Sequence, residues 1–155
     1  MLERHNLVLP FLDRREEAGR LQRLFARREG CLGVLFGRRR CGKSRLLVET
    51  LPRDRSVYFL ADEREAPLQR AALAAEIAHL LPGFDRVVYP DWDSLLGRWW
   101  GEAPAGSVLA LDEFQALAAQ AGELRSLLQR YLDTRKERAC HLVLSGSSQR
   151  LMQGL

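Results

Sequence analysis

Lysine is nearly absent from this chain: Lys43 and Lys136 stand against twenty-two arginines, so a lysine here marks a chosen position. Cysteine is scarce as well. Cys31, Cys41 and Cys140 are odd in number and far apart, which excludes a disulfide framework and fits free thiols in a reducing compartment. The three histidines (His5, His79 and His141) share no ligand spacing with one another or with the cysteines, so no zinc site is assigned. No apolar run approaches the ~20 residues of a membrane helix. The opening Met1-Leu2-Glu3-Arg4-His5 lacks the basic-then-apolar layout of a secretory leader. Internal repeats, low-complexity tracts and interdomain linkers are missing too. The expectation is a soluble, cytoplasmic protein.

What is present suits one folded domain. The 155 residues can bury a sizeable core without a staple, and 46% hydrophobic against 28% charged residues excludes disorder. The net charge of +4 is unevenly spread. Residues 1–55 carry fourteen Lys/Arg against seven Asp/Glu, and the remainder is slightly acidic. A basic front half suits a polyanion, either a nucleotide or a nucleic acid.

Apolar periodicity predicts strands alternating with helices. Residues 13–28 read as an amphipathic helix with Ala18, Leu21, Leu24 and Phe25 on one face and Asp13 as its cap. Four continuously apolar runs read as buried strands: Cys31–Phe36, Ser56–Ala61, Ser107–Leu111 and His141–Leu144. Helices are expected from about Gly42 to Leu51, from Pro67 to Leu81, from Asp91 or Asp93 to Trp100, and after Gly122. Trp92, Leu95, Leu96 and Trp99 fall at helical spacing and read as one core face, while Trp100 falls off it. Asp62, Glu63 and Glu65 read as carboxylates favoured at a helix start. The whole reads as α/β with a mainly parallel sheet.

Gly37-Arg38-Arg39-Arg40-Cys41-Gly42-Lys43-Ser44 fits G-x-x-x-x-G-K-[ST] at each fixed position, between an apolar strand and an amphipathic helix. Glycines let the backbone curl so that N–H groups converge on phosphate oxygens, and the helix start adds its positive dipole end. Lys43 would neutralise the β- and γ-phosphates, and Ser44 would offer a hydroxyl to Mg²⁺. Arg38, Arg39, Arg40, Cys41 and Arg45 belong to the same phosphate-binding stretch. The arginine side chains read as surface groups, and Cys41 as a small residue chosen for fit.

Val108-Leu109-Ala110-Leu111 ends in the carboxylate pair Asp112-Glu113. In a phosphate-loop protein the Asp orders the metal shell and the Glu polarises a water for attack on the γ-phosphate. The last strand runs into Ser145-Gly146-Ser147-Ser148, hydroxyls that either read a γ-phosphate or cap a following helix.

Together these segments resemble the AAA+/STAND-type ATPases, and within them the archaeal-type (DEXX-box) ATPase family. The resemblance rests on Phe11-Leu12-Asp13-Arg14 with Glu17 and Leu21, the phosphate loop with its Leu35-Phe36 lead, Leu111-Asp112-Glu113-Phe114-Gln115, and Leu142-Val143-Leu144-Ser145-Gly146-Ser147-Ser148. It implies a P-loop NTPase-like sheet with the fourth strand between the phosphate-loop and acidic-pair strands. It also implies ATP and Mg²⁺ as cofactors, Ser147 as the residue sensing the γ-phosphate, and Phe11 to Arg14 near the adenine. Such proteins continue with a fifth strand and a helical lid, so residues 1–155 read as one ATPase core cut after its fourth core strand. That arrangement would leave the phosphate-loop strand at a sheet edge, from which self-association is expected. A nucleic acid or protein partner would be engaged through the missing region. The alternatives are a non-catalytic nucleotide switch, a small-molecule kinase, and nucleic-acid binding alone.

Overall fold

A computed structural model describes residues 6–10, 14–37, 42–134 and 140–147 of the chain. Five strands are seen: β1 (Asn6–Pro10), β2 (Leu32–Phe36), β3 (Ser56–Leu60), β4 (Val108–Asp112) and β5 (His141–Gly146). Among the described residues six α-helices join them: α1 (Arg14–Phe25), α2 (Lys43–Thr50), α3 (Ala66–Ile77), α4 (Trp92–Glu102), α5 (Phe114–Gln120) and α6 (Leu124–Thr134). The sheet order is β1-β2-β5-β4-β3, with each neighbouring pair parallel. β5 therefore does sit between the phosphate-loop strand β2 and the acidic-pair strand β4.

Four strands were expected and five are described. β1 pairs along β2 from Asn6↔Leu32 to Pro10↔Phe36, so the phosphate-loop strand is interior. Pro10 fits this position, because a proline can end an edge strand but cannot donate within a central one. The uncovered edge that suggested self-association is not there.

Two apolar layers sandwich the sheet. α1 and α2 pack on one face, where Leu21, Leu24, Phe25, Leu46 and Leu47 meet Val108, Ala110 and Val143. α3 to α6 cover the other face through Leu73, Ile77, Trp99, Phe114 and Leu128. This division follows from right-handed crossovers, since the chain steps outward from β1 to β3 and then returns. β4 and β5 are buried along their whole length, as their unbroken apolar runs require. β3 differs from its expectation. It is an edge strand that alternates, with Val57 and Phe59 buried and Leu60 exposed.

Asp91 caps α4 by accepting the Ser94 N–H at 2.7 Å, and these bonds hold its carboxyl below the usual range. Trp92, Leu95, Leu96 and Trp99 form the buried stripe read from their spacing. Trp100 is buried too, stacked on Tyr131 of α6 at 5.3 Å between ring centroids. Helix α3 stops at Ile77, and Leu80 and Leu81 reach the core from the turn beyond it.

His141 opens β5 at the end of the sheet remote from the phosphate loop. It is fully buried, and its Nδ1 accepts the Cys31 N–H at 3.1 Å. Burial lowers its pKa from the ordinary value, the Arg55 charge pushes the same way, and the Arg27 and Phe25 carbonyls oppose. The unfolded chain takes up this proton near pH ~6.5, whereas the folded chain resists it. Stability is thus complete above that pH and falls as the pH drops through it. The urea midpoint is expected to be lower at about pH 5.5 than at about pH 7.5, and His141→Gln should shrink that difference. An unchanged difference in the variant would assign it to other groups.

Candidate functional site

β2 ends at Phe36, and the Gly37 N–H donates to the Gly146 carbonyl at 3.3 Å, which ties the loop's first residue to the end of β5. Arg38, Arg39, Arg40 and Cys41 lie outside the described residues, as do Phe11, Leu12 and Asp13. The chain returns at Gly42 with φ 87°, a left-handed conformation that only glycine adopts without strain. The Gly42 carbonyl accepts the Leu46 N–H at 2.9 Å and so opens α2. Gly42, as the cap residue, offers this helix no side-chain bond, and an N-terminus of this kind suits an anion.

Lys43 is buried at 4% exposure, with Nζ 4.0 Å from Glu113 Oε1. The Arg45 side chain behaves differently. It lies on the outer surface of α2 bound to Glu49 at 3.0 Å.

Asp112 ends β4 fully buried. Its Oδ2 accepts two hydroxyls, Ser44 Oγ at 2.5 Å and Tyr58 Oη at 2.6 Å, and its Oδ1 accepts the Glu113 N–H at 2.9 Å. A buried carboxylate needs such donors. Ser44 and Asp112, 68 residues apart, are brought into direct contact.

Glu113 joins β4 to α5 with φ 54° and ψ 43°, the described non-glycine residue of positive φ. A left-handed side-chain-bearing residue costs about 1–2 kcal/mol and persists where its surroundings hold it. Its Oε2 accepts the Gln115 side-chain amide, and its Oε1 faces Lys43. Glu113 also borders an open cavity of about 760 Å³ walled by Leu60, Asp62, Glu63, Gln115 and Ala116. Asp62 is held by Arg64 at 2.7 Å, and Glu65 gives α3 no side-chain cap.

At the end of β5, Ser145 is in register with Asp112. It is fully buried, and its Oγ has no hydrogen-bond partner among the described residues. Ser147 follows just beyond the strand, half-buried. Tyr58 was not read from the sequence, because its contact with Asp112 depends on strand register. Cys31 and Cys140 are buried and not joined in a disulfide, and burial raises the Cys31 pKa.

The donors fit Mg²⁺. Ser44 and Asp112 supply hard oxygens side by side, and among the described residues no cluster of three His, Cys, Asp or Glu could cage a metal unaided. A small divalent ion that keeps waters and takes phosphate oxygens needs only one carboxylate and one hydroxyl from the protein.

A family profile described as "AAA domain" matches residues 31–154. The chain belongs to the AAA domain family. As an AAA domain it is of a nucleotide-binding, ATPase-type family. The solved structure of the Aeropyrum pernix ORC2 protein, in ADPNP–ADP complexes, is similar to it at TM-score 0.62 and 19% identity. That likeness covers 94% of this chain and 44% of the ORC2 chain, so the AAA domain spans less than half of that protein's length. It establishes a shared fold. No curated protein matches the chain. No helix among the described residues is long and apolar enough to cross a membrane.

Proposed function

We propose that this AAA domain binds Mg·ATP, hydrolyses it, and passes the resulting change to an attached domain or partner, in the manner of the archaeal-type (DEXX-box) ATPases it resembles. The observation that carries the reading is the convergence of Lys43, Ser44, Asp112 and Glu113. Ser44 Oγ lies 2.5 Å from Asp112 Oδ2, and Lys43 Nζ lies 4.0 Å from Glu113 Oε1.

In this reading the backbone from Gly37 to Ser44 cradles the phosphates, and Lys43 neutralises the β- and γ-phosphates. Ser44 and Asp112 hold the metal, which when bound offsets charge on the phosphate oxygens. Glu113 polarises a water and takes its proton as the water oxygen bonds to the γ-phosphorus. The bond from that phosphorus to the bridging oxygen breaks, leaving ADP and inorganic phosphate. Ser147 senses the γ-phosphate from the end of β5.

A second reading, a switch that holds ATP or ADP without turnover, draws on the Gln115 contact, which occupies one oxygen of Glu113. Calorimetric titration with ATP, with and without Mg²⁺, and single-turnover phosphate release separate the two. Mg²⁺-enhanced binding with release is expected. Binding without release would favour the switch, and absence of adenine-nucleotide uptake by folded protein would overturn both.

A further inference from the structure

Tyr58 lies on β3, outside every motif, yet its hydroxyl donates to Asp112 Oδ2 at 2.6 Å. The register shows how it gets there. Tyr58 pairs with Ala110 and Leu60 pairs with Asp112, so the ring starts one pleat short of the carboxylate, on the same face of the sheet. The ring packs against the α1–α2 layer, where phenylalanine would serve equally well. Its hydroxyl is what phenylalanine would lack, and it is spent on Asp112.

Ser44 reaches the same Oδ2 from α2, at 2.5 Å. The two hydroxyls arrive from a strand and a helix on different sides, and together they use both lone pairs of that oxygen. Oδ1 accepts only the Glu113 N–H among the described residues, so it is the oxygen with capacity to spare. Rotation of the carboxylate would break both hydroxyl contacts at once.

The geometry points to Tyr58 as a positioning residue for the magnesium site: by occupying Oδ2 together with Ser44, it turns Oδ1 of Asp112 toward the ion's hydration shell. This rests on the Mg·ATP reading given above. Outer-sphere partners of this kind fix the orientation of the group that meets the metal, and their loss weakens metal binding by ~10–100-fold in general.

The test compares wild type with Tyr58→Phe, using a fluorescent ATP analogue titrated in EDTA and then at rising Mg²⁺. The expected result is unchanged analogue affinity in EDTA and a half-saturating Mg²⁺ concentration raised roughly tenfold. A hydroxyl that only satisfied a buried carboxylate would lower the unfolding midpoint in EDTA and leave Mg²⁺ half-saturation alone, and that outcome overturns the role. If Tyr58→Phe fails to fold, wild type still decides. Mg²⁺ added to the analogue-loaded protein should perturb the tyrosine absorption difference spectrum, and an unperturbed spectrum overturns the role. Analogue binding in wild type that ignores Mg²⁺ would sink the Mg·ATP reading itself. A Mg²⁺-dependent wild type with an identical Tyr58→Phe sinks only the Tyr58 role.

Discussion

Lys43→Ala is expected to abolish measurable ATP binding while leaving the domain folded. The side chain is 4% exposed at the start of α2, so its ammonium is held facing Glu113 instead of sampling solvent. Each hydrogen bond to a charged group contributes about 1.5–3 kcal/mol, and contacts to two phosphates correspond to roughly 10²–10⁴ in affinity. An arginine is no substitute, since a planar fork does not replace a compact point charge. Calorimetry with ATP measures the loss, and an unchanged urea midpoint would show that the fold survives. Affinity within about threefold of wild type would remove Lys43 from the phosphate site.

Glu113→Gln is expected to separate binding from turnover. The amide keeps the size of the carboxylate and can still meet Lys43, but it cannot take a proton from water. General-base catalysis contributes about 10²–10⁴ in rate, so single-turnover hydrolysis should fall at least 100-fold with ATP affinity held within about threefold. The backbone adds a constraint. Glu113 sits at φ 54°, and its surroundings must hold the replacement in the same left-handed turn. Far-ultraviolet circular dichroism in parallel checks that α5 still follows. Equal hydrolysis by wild type and variant would strike Glu113 from the chemistry.

The site's polar groups were legible because their chemistry is carried by short contiguous segments. Gly42-Lys43-Ser44 and Asp112-Glu113 each sit where an apolar strand meets a helix, and the resemblance supplied the strand order that brings them together. Long periodic stretches were legible for a related reason, as in α4, where spacing alone identifies the buried face. What escaped depends on distant partners. β1 is five residues long and becomes a strand only through its pairing with β2. Helix α5 starts directly after the acidic pair, and its alanine-rich run carries little periodic signal. The Ser56–Ala61 run reads as doubly buried, yet an edge position leaves Leu60 exposed. Trp100 needed Tyr131, and Tyr58 needed Asp112, each across a gap that local pattern does not span.

The placement of β5 also shapes how the molecule must be made. The His141–Cys31 contact at the base of the sheet joins residues 110 apart, so the phosphate-loop strand waits for β5 to leave the ribosome before its inner flank is filled. Until then β2 and β4 each present a bare row of amides and carbonyls, the kind of surface on which nascent chains stick to one another. Assembly dominated by such late, long-range closure is slow. Because β5 is also the strand that brings Ser145 beside Asp112, that juxtaposition cannot form before β5 has been made.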